Sequence, residues 1–228
     1  MLRFVLVVVA LLAGPLRAQS DPVSSASPPP PPLTGHLEGR VYVSPTGTFR
    51  IAVPVLPELG GTVVDTPNVV TFQDSFNVHV SIGAFPQDET QRWEYSTRGT
   101  QDYLVYFFSN FVMADFQQMF PGASIESAQY SPDILNGALL TYTLLPGGSM
   151  FGDRHSILGP SESPPVAKRG NLVFVRNDYV YVISTELAER VIERRGYSKT
   201  PAEEDEILRK RLAELIKKLE FTRPPAGS

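Results

Sequence analysis

The chain contains no cysteine. That absence removes disulfides, thiol nucleophiles, cysteine-ligated zinc and lipidation at a signal-proximal cysteine. Histidine is scarce as well. His36, His79 and His155 are the only three, and no two are neighbours on one helix or strand, so none are spaced to converge on a metal. The phosphate-cradling pattern G-x-x-x-x-G-K-[ST] is missing, as is the G-x-S-x-G nucleophile elbow. Ser149, Asp153 and His155 share one glycine-rich stretch, but nearness in sequence does not create triad geometry. Glu203-Glu204 reads as a helix start, where negative charge offsets the dipole. No catalytic residue, metal or cofactor can be named from these residues, and the expectation is a protein that is not an enzyme.

Long apolar runs are missing too, apart from one at the beginning. Arg3 precedes the apolar residues 4–13, Gly14-Pro15 breaks them, and Leu16-Arg17-Ala18 ends in the small residue that signal peptidase requires. The run is shorter than the roughly 20 residues of a permanent span. The reading is a signal peptide over residues 1–18, cleaved after Ala18, giving an exported protein, periplasmic or secreted, with no permanent membrane anchor. Cleavage takes away Arg3 and Arg17 and no acid, so the formal charge of −4 becomes −6. A basic face for phosphate binding is absent, which disfavours a nucleic-acid partner.

What is present begins with proline. Residues 19–36 combine a serine-rich stretch with Pro28 to Pro32 and cannot bury enough apolar surface to fold. Consecutive prolines favour an extended polyproline II rod, so this segment reads as a stiff spacer. A single domain is expected over residues 37–222, with a short disordered tail at 223–228.

The domain opens with alternation. Residues 41–44 and 48–53 around Pro45-Thr46-Gly47 predict a hairpin that points Phe49, Ile51 and Val53 inward. Strands follow at 69–72 and 78–85, with His79 and Ser81 on the polar face of the second. Residues 101–120 predict a helix, capped by Thr100 and stopped by Pro121-Gly122. Strands return at 124–130 and 137–145.

The clearest hairpin is 171–176 and 179–184 around Asn177-Asp178, a pair that tolerates positive φ. Its arms are apolar on both faces, which belongs to the middle of a sheet covered on both sides. A short helix is expected near 186–195. The last helix, 202–219, has Thr200 as cap, Pro201 in the first turn and Glu203 completing a capping box. Ile207, Leu208, Leu212, Leu215, Ile216 and Leu219 form its apolar stripe.

These elements predict an α+β fold, specifically an α/β/α sandwich. A mostly antiparallel central sheet is flanked by the long middle helix and the C-terminal helix. The order resembles the fold of the PsbP and DcrB-like exported proteins. The residues carrying the resemblance are Ser44-Pro45-Thr46-Gly47-Thr48-Phe49-Arg50-Ile51-Ala52-Val53-Pro54, the Val70-Thr71-Phe72-Gln73-Asp74 strand, Asn136-Gly137-Ala138 before a strand, and the closing hairpin and helix. The pattern covers most of residues 40–221. The resemblance implies a non-enzymatic accessory or binding protein of the bacterial cell envelope.

Two features suggest where binding occurs. Residues 101–120 carry apolar side chains almost all the way round, whereas a helix packed on one sheet needs only a stripe. The connection over residues 146–169 is long for a compact domain and carries Met150, Phe151, Ile157 and Leu158. The leading expectation is a protein partner docking on Tyr106, Phe107, Met113, Met150 and Phe151. The alternative is an apolar small ligand in a loop-gated pocket, marked by a cavity lined by Phe108, Phe111 or Phe116.

Overall fold

The computed structural model describes residues 32–147, 166–193 and 196–222. The first part of the domain runs β1 (His36–Glu38), β2 (Val41–Val43), β3 (Phe49–Ala52), β4 (Thr62–Asp65), β5 (Val69–Gln73) and β6 (His79–Pro86). Helices α1 (Glu89–Arg98) and α2 (Thr100–Phe107), a π turn (Phe108–Val112) and α3 (Met113–Met119) follow. The second part is β7 (Ser124–Ser131), β8 (Ala138–Pro146), β9 (Val166–Arg176), β10 (Tyr179–Glu186), α4 (Ala188–Ile192), α5 (Pro201–Lys218) and β11 (Leu219–Phe221).

The hairpin of β9 and β10 organises the molecule. Asn177 and Asp178 both take positive φ, 51° and 62°, and close the two-residue turn. An antiparallel seven-stranded sheet grows from it in the order β4-β5-β6-β10-β9-β8-β7. β10 lies at its centre, so Val180, Tyr181, Val182 and Ile183 are all buried although they point alternately to opposite faces. β9 begins at Val166, before the expected Asn171, and brings Lys168, Arg169 and Gly170 into the sheet.

One face of the sheet packs against α5 and a second, smaller sheet. Thr200 and Glu203 form the capping box that starts α5, and Leu208, Leu212 and Leu215 face Leu172, Phe174 and Ile183 in one apolar cluster. Gly170 allows the close approach, because a Cβ there would lie 3.0 Å from Leu208 and 3.2 Å from Leu212. The opening hairpin forms as expected, β2 pairing with β3. It does not join the central sheet, however, but builds a separate four-stranded sheet, β1-β2-β3-β11, closed by the strand after α5. Ordered contacts reach back to Thr34 and Gly35, whose N–H groups donate to Asp65 at 2.7 Å.

The opposite face carries the long helix and α4, so the sandwich predicted from sequence is present. Before it stands α1, unforeseen, with Asp88 as N-cap accepting from the Gln91 N–H. Thr100 does not cap the long helix. Gly99 holds that position, and the Thr100 hydroxyl meets that of Tyr95 at 3.2 Å.

The π turn explains why this helix is apolar all the way round. Ahead of it the buried residues are Tyr103, Leu104, Phe107 and Phe108. An uninterrupted stripe would pass through Phe111, Val112 and Asp115. At the turn the Met113 N–H bonds to the Phe108 carbonyl, five residues back. The extra residue rotates the stripe by roughly 100°, and the buried positions become Met113 and Phe116.

Candidate functional site

The sheet face beneath the long helix is not uniformly apolar, and strand register shows why. One row across it is Val69, Gly83, Val182, Val173 and Leu139. Directly opposed residues share a face, so the next row on that face is Thr71, Ser81, Ser184, Asn171 and Thr141. The row beyond pairs Gln73 with His79, and Glu186 with Arg169 and Thr143. Moving toward that edge, the face changes from hydrocarbon to hydroxyl and amide, then to charge.

The helix spans this gradient. α2 seats Leu104 and Phe107, and the π turn seats Phe108, in the apolar cluster with Leu139, Val173 and Val180. Beyond the π turn the helix cannot seal the polar rows, and a groove of about 530 Å³ remains between them. Its roof is Phe107, Phe111, Val112, Phe116, Met119 and Phe120; its floor is Val69, Thr71, His79, Ser81, Gly83, Val182, Ser184 and Arg169. Phe111 and Met119 form an open rim, 42% and 58% exposed.

The floor is internally bonded at one end. Ser184 Oγ donates to Asn171 Oδ1 at 2.7 Å, and Asn171 Nδ2 donates to Thr141 and Thr143, each at 3.3 Å. Arg169 donates from Nε and Nη2 to one oxygen of Glu186, both at 3.4 Å, and its guanidinium lies 5.5 Å from the Phe116 ring. Burial pulls the Arg169 guanidinium below its ordinary value while Glu186 opposes that. Burial, aided by the Arg169 cation, pushes His79 down to about 3, so its imidazole is neutral at physiological pH.

Of the five residues expected to form a docking surface, three are described, and two of those are buried. Phe107 and Met113 are only 3% and 4% exposed, because each lies on the buried stripe on its own side of the π turn. Phe107 packs between Phe85 and Phe111 at 5.9 and 5.1 Å and contributes to the groove from inside. Tyr106 is half-buried, with the Arg98 guanidinium 4.4 Å above its ring. Met150 and Phe151, like Ser149, Asp153, His155 and most of the 146–169 connection, lie outside the described residues.

Of the cavity markers named from sequence, Phe111 and Phe116 line the groove, while Phe108 turns into the core. Arg169, Glu186, Ser81 and Ser184 were missed. Alternation did place His79 and Ser81 together on the polar face of their strand, but a polar face ordinarily reads as facing water.

A second charged cluster occupies the other face. Lys168 pairs with Glu126, with Glu204 at 3.1 Å and with Asp205 at 2.7 Å. Glu126 is the bulged residue of β7, and Arg190 holds both oxygens of Glu204 at 2.8 Å. Burial acts to lower the Lys168 pKa, but the hydrogen bonds it donates to the three carboxylates raise it overall. This cluster fastens α5 to β7 and β9. Among the described residues no three His, Asp or Glu side chains converge as a metal site, and no helix is long and apolar enough to cross a membrane.

No protein-family model and no curated protein matches the sequence. Among solved structures the chain is similar to the Ran-binding protein Mog1p of Saccharomyces cerevisiae, at 9% identity and a TM-score of 0.47. That match covers 79% of this chain and 94% of the other. It is also similar to cyanobacterial PsbP from Synechocystis, at 12% identity and a TM-score of 0.47, covering 80% and 91%. A Bacteroides thetaiotaomicron protein shares 13% identity at a TM-score of 0.38, over 82% of this chain and 49% of its own. PsbP is the family whose pattern the sequence resembles, and the resemblance is one of fold. Identities this low do not carry a partner or a role from one protein to another.

Proposed function

We propose that this chain is an exported, non-enzymatic binding protein that takes a small amphipathic molecule into the groove between the long helix and the central sheet. The observation that carries this reading is an aromatic roof set over a polar floor, with a rim open to solvent. Volumes of about 300–1,000 Å³ with mostly apolar walls and a few placed polar groups are typical of small-ligand sites. The groove's volume and lining match that description. The protein-partner alternative is weakened by the burial of Phe107 and Met113, two of the anchors it needed.

The test uses N-phenyl-1-naphthylamine, an uncharged probe that fluoresces when it leaves water. Saturable one-to-one binding is expected. Ser81→Trp, which fills the groove from its floor, should abolish it while circular dichroism and thermal melting stay close to the parent's. Met119→Asp, at the exposed rim, should weaken binding without touching the core. Non-saturable uptake, or undiminished binding by a folded Ser81→Trp protein, would sink the proposal.

A further inference from the structure

Resting on the ligand reading above, we infer that the groove selects an uncharged amphipathic molecule. Its head group offers a carbonyl-type oxygen to the Arg169 guanidinium, and a carboxylate of the same chain length is disfavoured.

The charges around the groove decide this. Arg169 is the only cationic side chain lining the groove among the described residues, and it is already paired with Glu186 through Nε and Nη2. Asp115 stands in the lining as well. Arg169 and Glu186 cancel, and Asp115 leaves the surroundings without positive excess. A carboxylate entering beside Arg169 would meet a second carboxylate in a poorly hydrated site, where like charges repel strongly. A cationic head would meet the guanidinium itself. An uncharged oxygen needs neither rearrangement.

Suitable donors exist for it. Arg169 Nη1 makes no hydrogen bond among the described residues, although the side chain is almost wholly buried. Ser81 lines the floor beside Ser184, whose own O–H is committed to Asn171. Ser184 therefore offers lone pairs, while Ser81 and Arg169 offer protons. The apolar body then lies along Phe111, Phe116 and Val182, where no polar group would be stranded.

The experiment displaces N-phenyl-1-naphthylamine from the full-length protein at pH 8 with methyl decanoate and with decanoate. The ester should compete at a concentration at least tenfold lower. Greater hydrophobicity of the ester would contribute to that ratio, so the decisive readout is its response to Glu186→Gln. Freeing the guanidinium should tighten decanoate about tenfold and leave the ester nearly unchanged.

Should Glu186→Gln fail to fold, the double variant Arg169→Met/Glu186→Met removes the guanidinium and its carboxylate together and decides instead. It should lose about tenfold more in ester affinity than in affinity for the probe. Equal or better binding of decanoate by the parent protein overturns the inference. So does an ester-to-acid ratio indifferent to Glu186→Gln, or undiminished ester binding by the double variant. In each of those cases a groove that still takes the probe survives as a binding site. A parent protein that takes up neither probe nor ester removes the groove reading itself.

Discussion

Lys168 and Arg169 are adjacent on one strand, and alternation sends them to opposite faces of the same sheet. Both are buried cations, yet their surroundings differ. Lys168 is met by Glu126, Glu204 and Asp205 in a region where α5, β7 and β9 close on one another. Among the described residues Arg169 pairs with one carboxylate, Glu186, at a long 3.4 Å, beside a groove of about 530 Å³. A buried charge needs enough partners to replace its lost hydration. Three carboxylates around Lys168 act as a fastener. One carboxylate beside Arg169 leaves donor capacity at the groove, which is what the proposed ligand site requires. The two faces therefore divide the labour: one holds the domain together and the other is left open.

That contrast can be broken at several points. The largest expected effect is at the fastener. Lys168→Met takes the shared cation from Glu126 and Asp205, leaves Glu204 to Arg190, and should cost about 3–5 kcal/mol in denaturant unfolding, with probe affinity in the groove unchanged. A loss of binding in a folded Lys168→Met protein would show that the faces are not independent.

Acid should act on the groove face. His79 has a folded pKa of about 3, well below its ordinary 6.5, and it stands in the row that holds Arg169 and Glu186. Its neutrality contributes stability that is complete above about pH 6.5. That stability is lost as pH falls toward 3, because the unfolded chain binds the proton first. The slope attributable to this residue is at most about 1.4 kcal/mol per pH unit. His79→Gln should flatten stability between pH 6 and 4, and an unaltered pH profile would remove His79 from the account.

Phe111→Ala at the rim should lower probe affinity about tenfold, given the apolar area withdrawn, and change stability by less than about 1 kcal/mol. The smallest effect is expected on α1, where Trp93 is 61% exposed. Trp93→Ser should alter neither stability nor probe binding beyond about 0.5 kcal/mol, and a larger change would assign α1 a role that the groove does not give it. Export is checked separately, since N-terminal sequencing of the mature protein should begin at Gln19.

Much of the fold was legible because local chemistry is strong where it matters. Asn177-Asp178 admits only a tight turn, two-sided apolar arms admit only the middle of a sheet, and Thr200-Pro201 with Glu203 admits only a helix start. The helix α1 was missed although Asp88 and Gly99 bracket it, since none of its residues is buried and no apolar stripe announces it. The groove was legible only in part. An apolar circumference on residues 101–120 signalled that something unusual covers them, and the cavity alternative named Phe111 and Phe116. It also named Phe108, because a straight helix was assumed.

Sequence alone determined the strand and helix signals, the turn chemistry, the scarcity of catalytic residue types and the expectation of export, since each depends on residues a few positions apart. Tertiary structure decided which polar face is buried. His79, Ser81, Ser184 and Arg169 come from three strands, and only their lateral register sets them in neighbouring rows. The π turn, one extra residue in one helical turn, then withholds the stripe that would have covered them. Register and helix phase arise from contacts distant along the chain, so the groove exists only once the sheet and helix have packed.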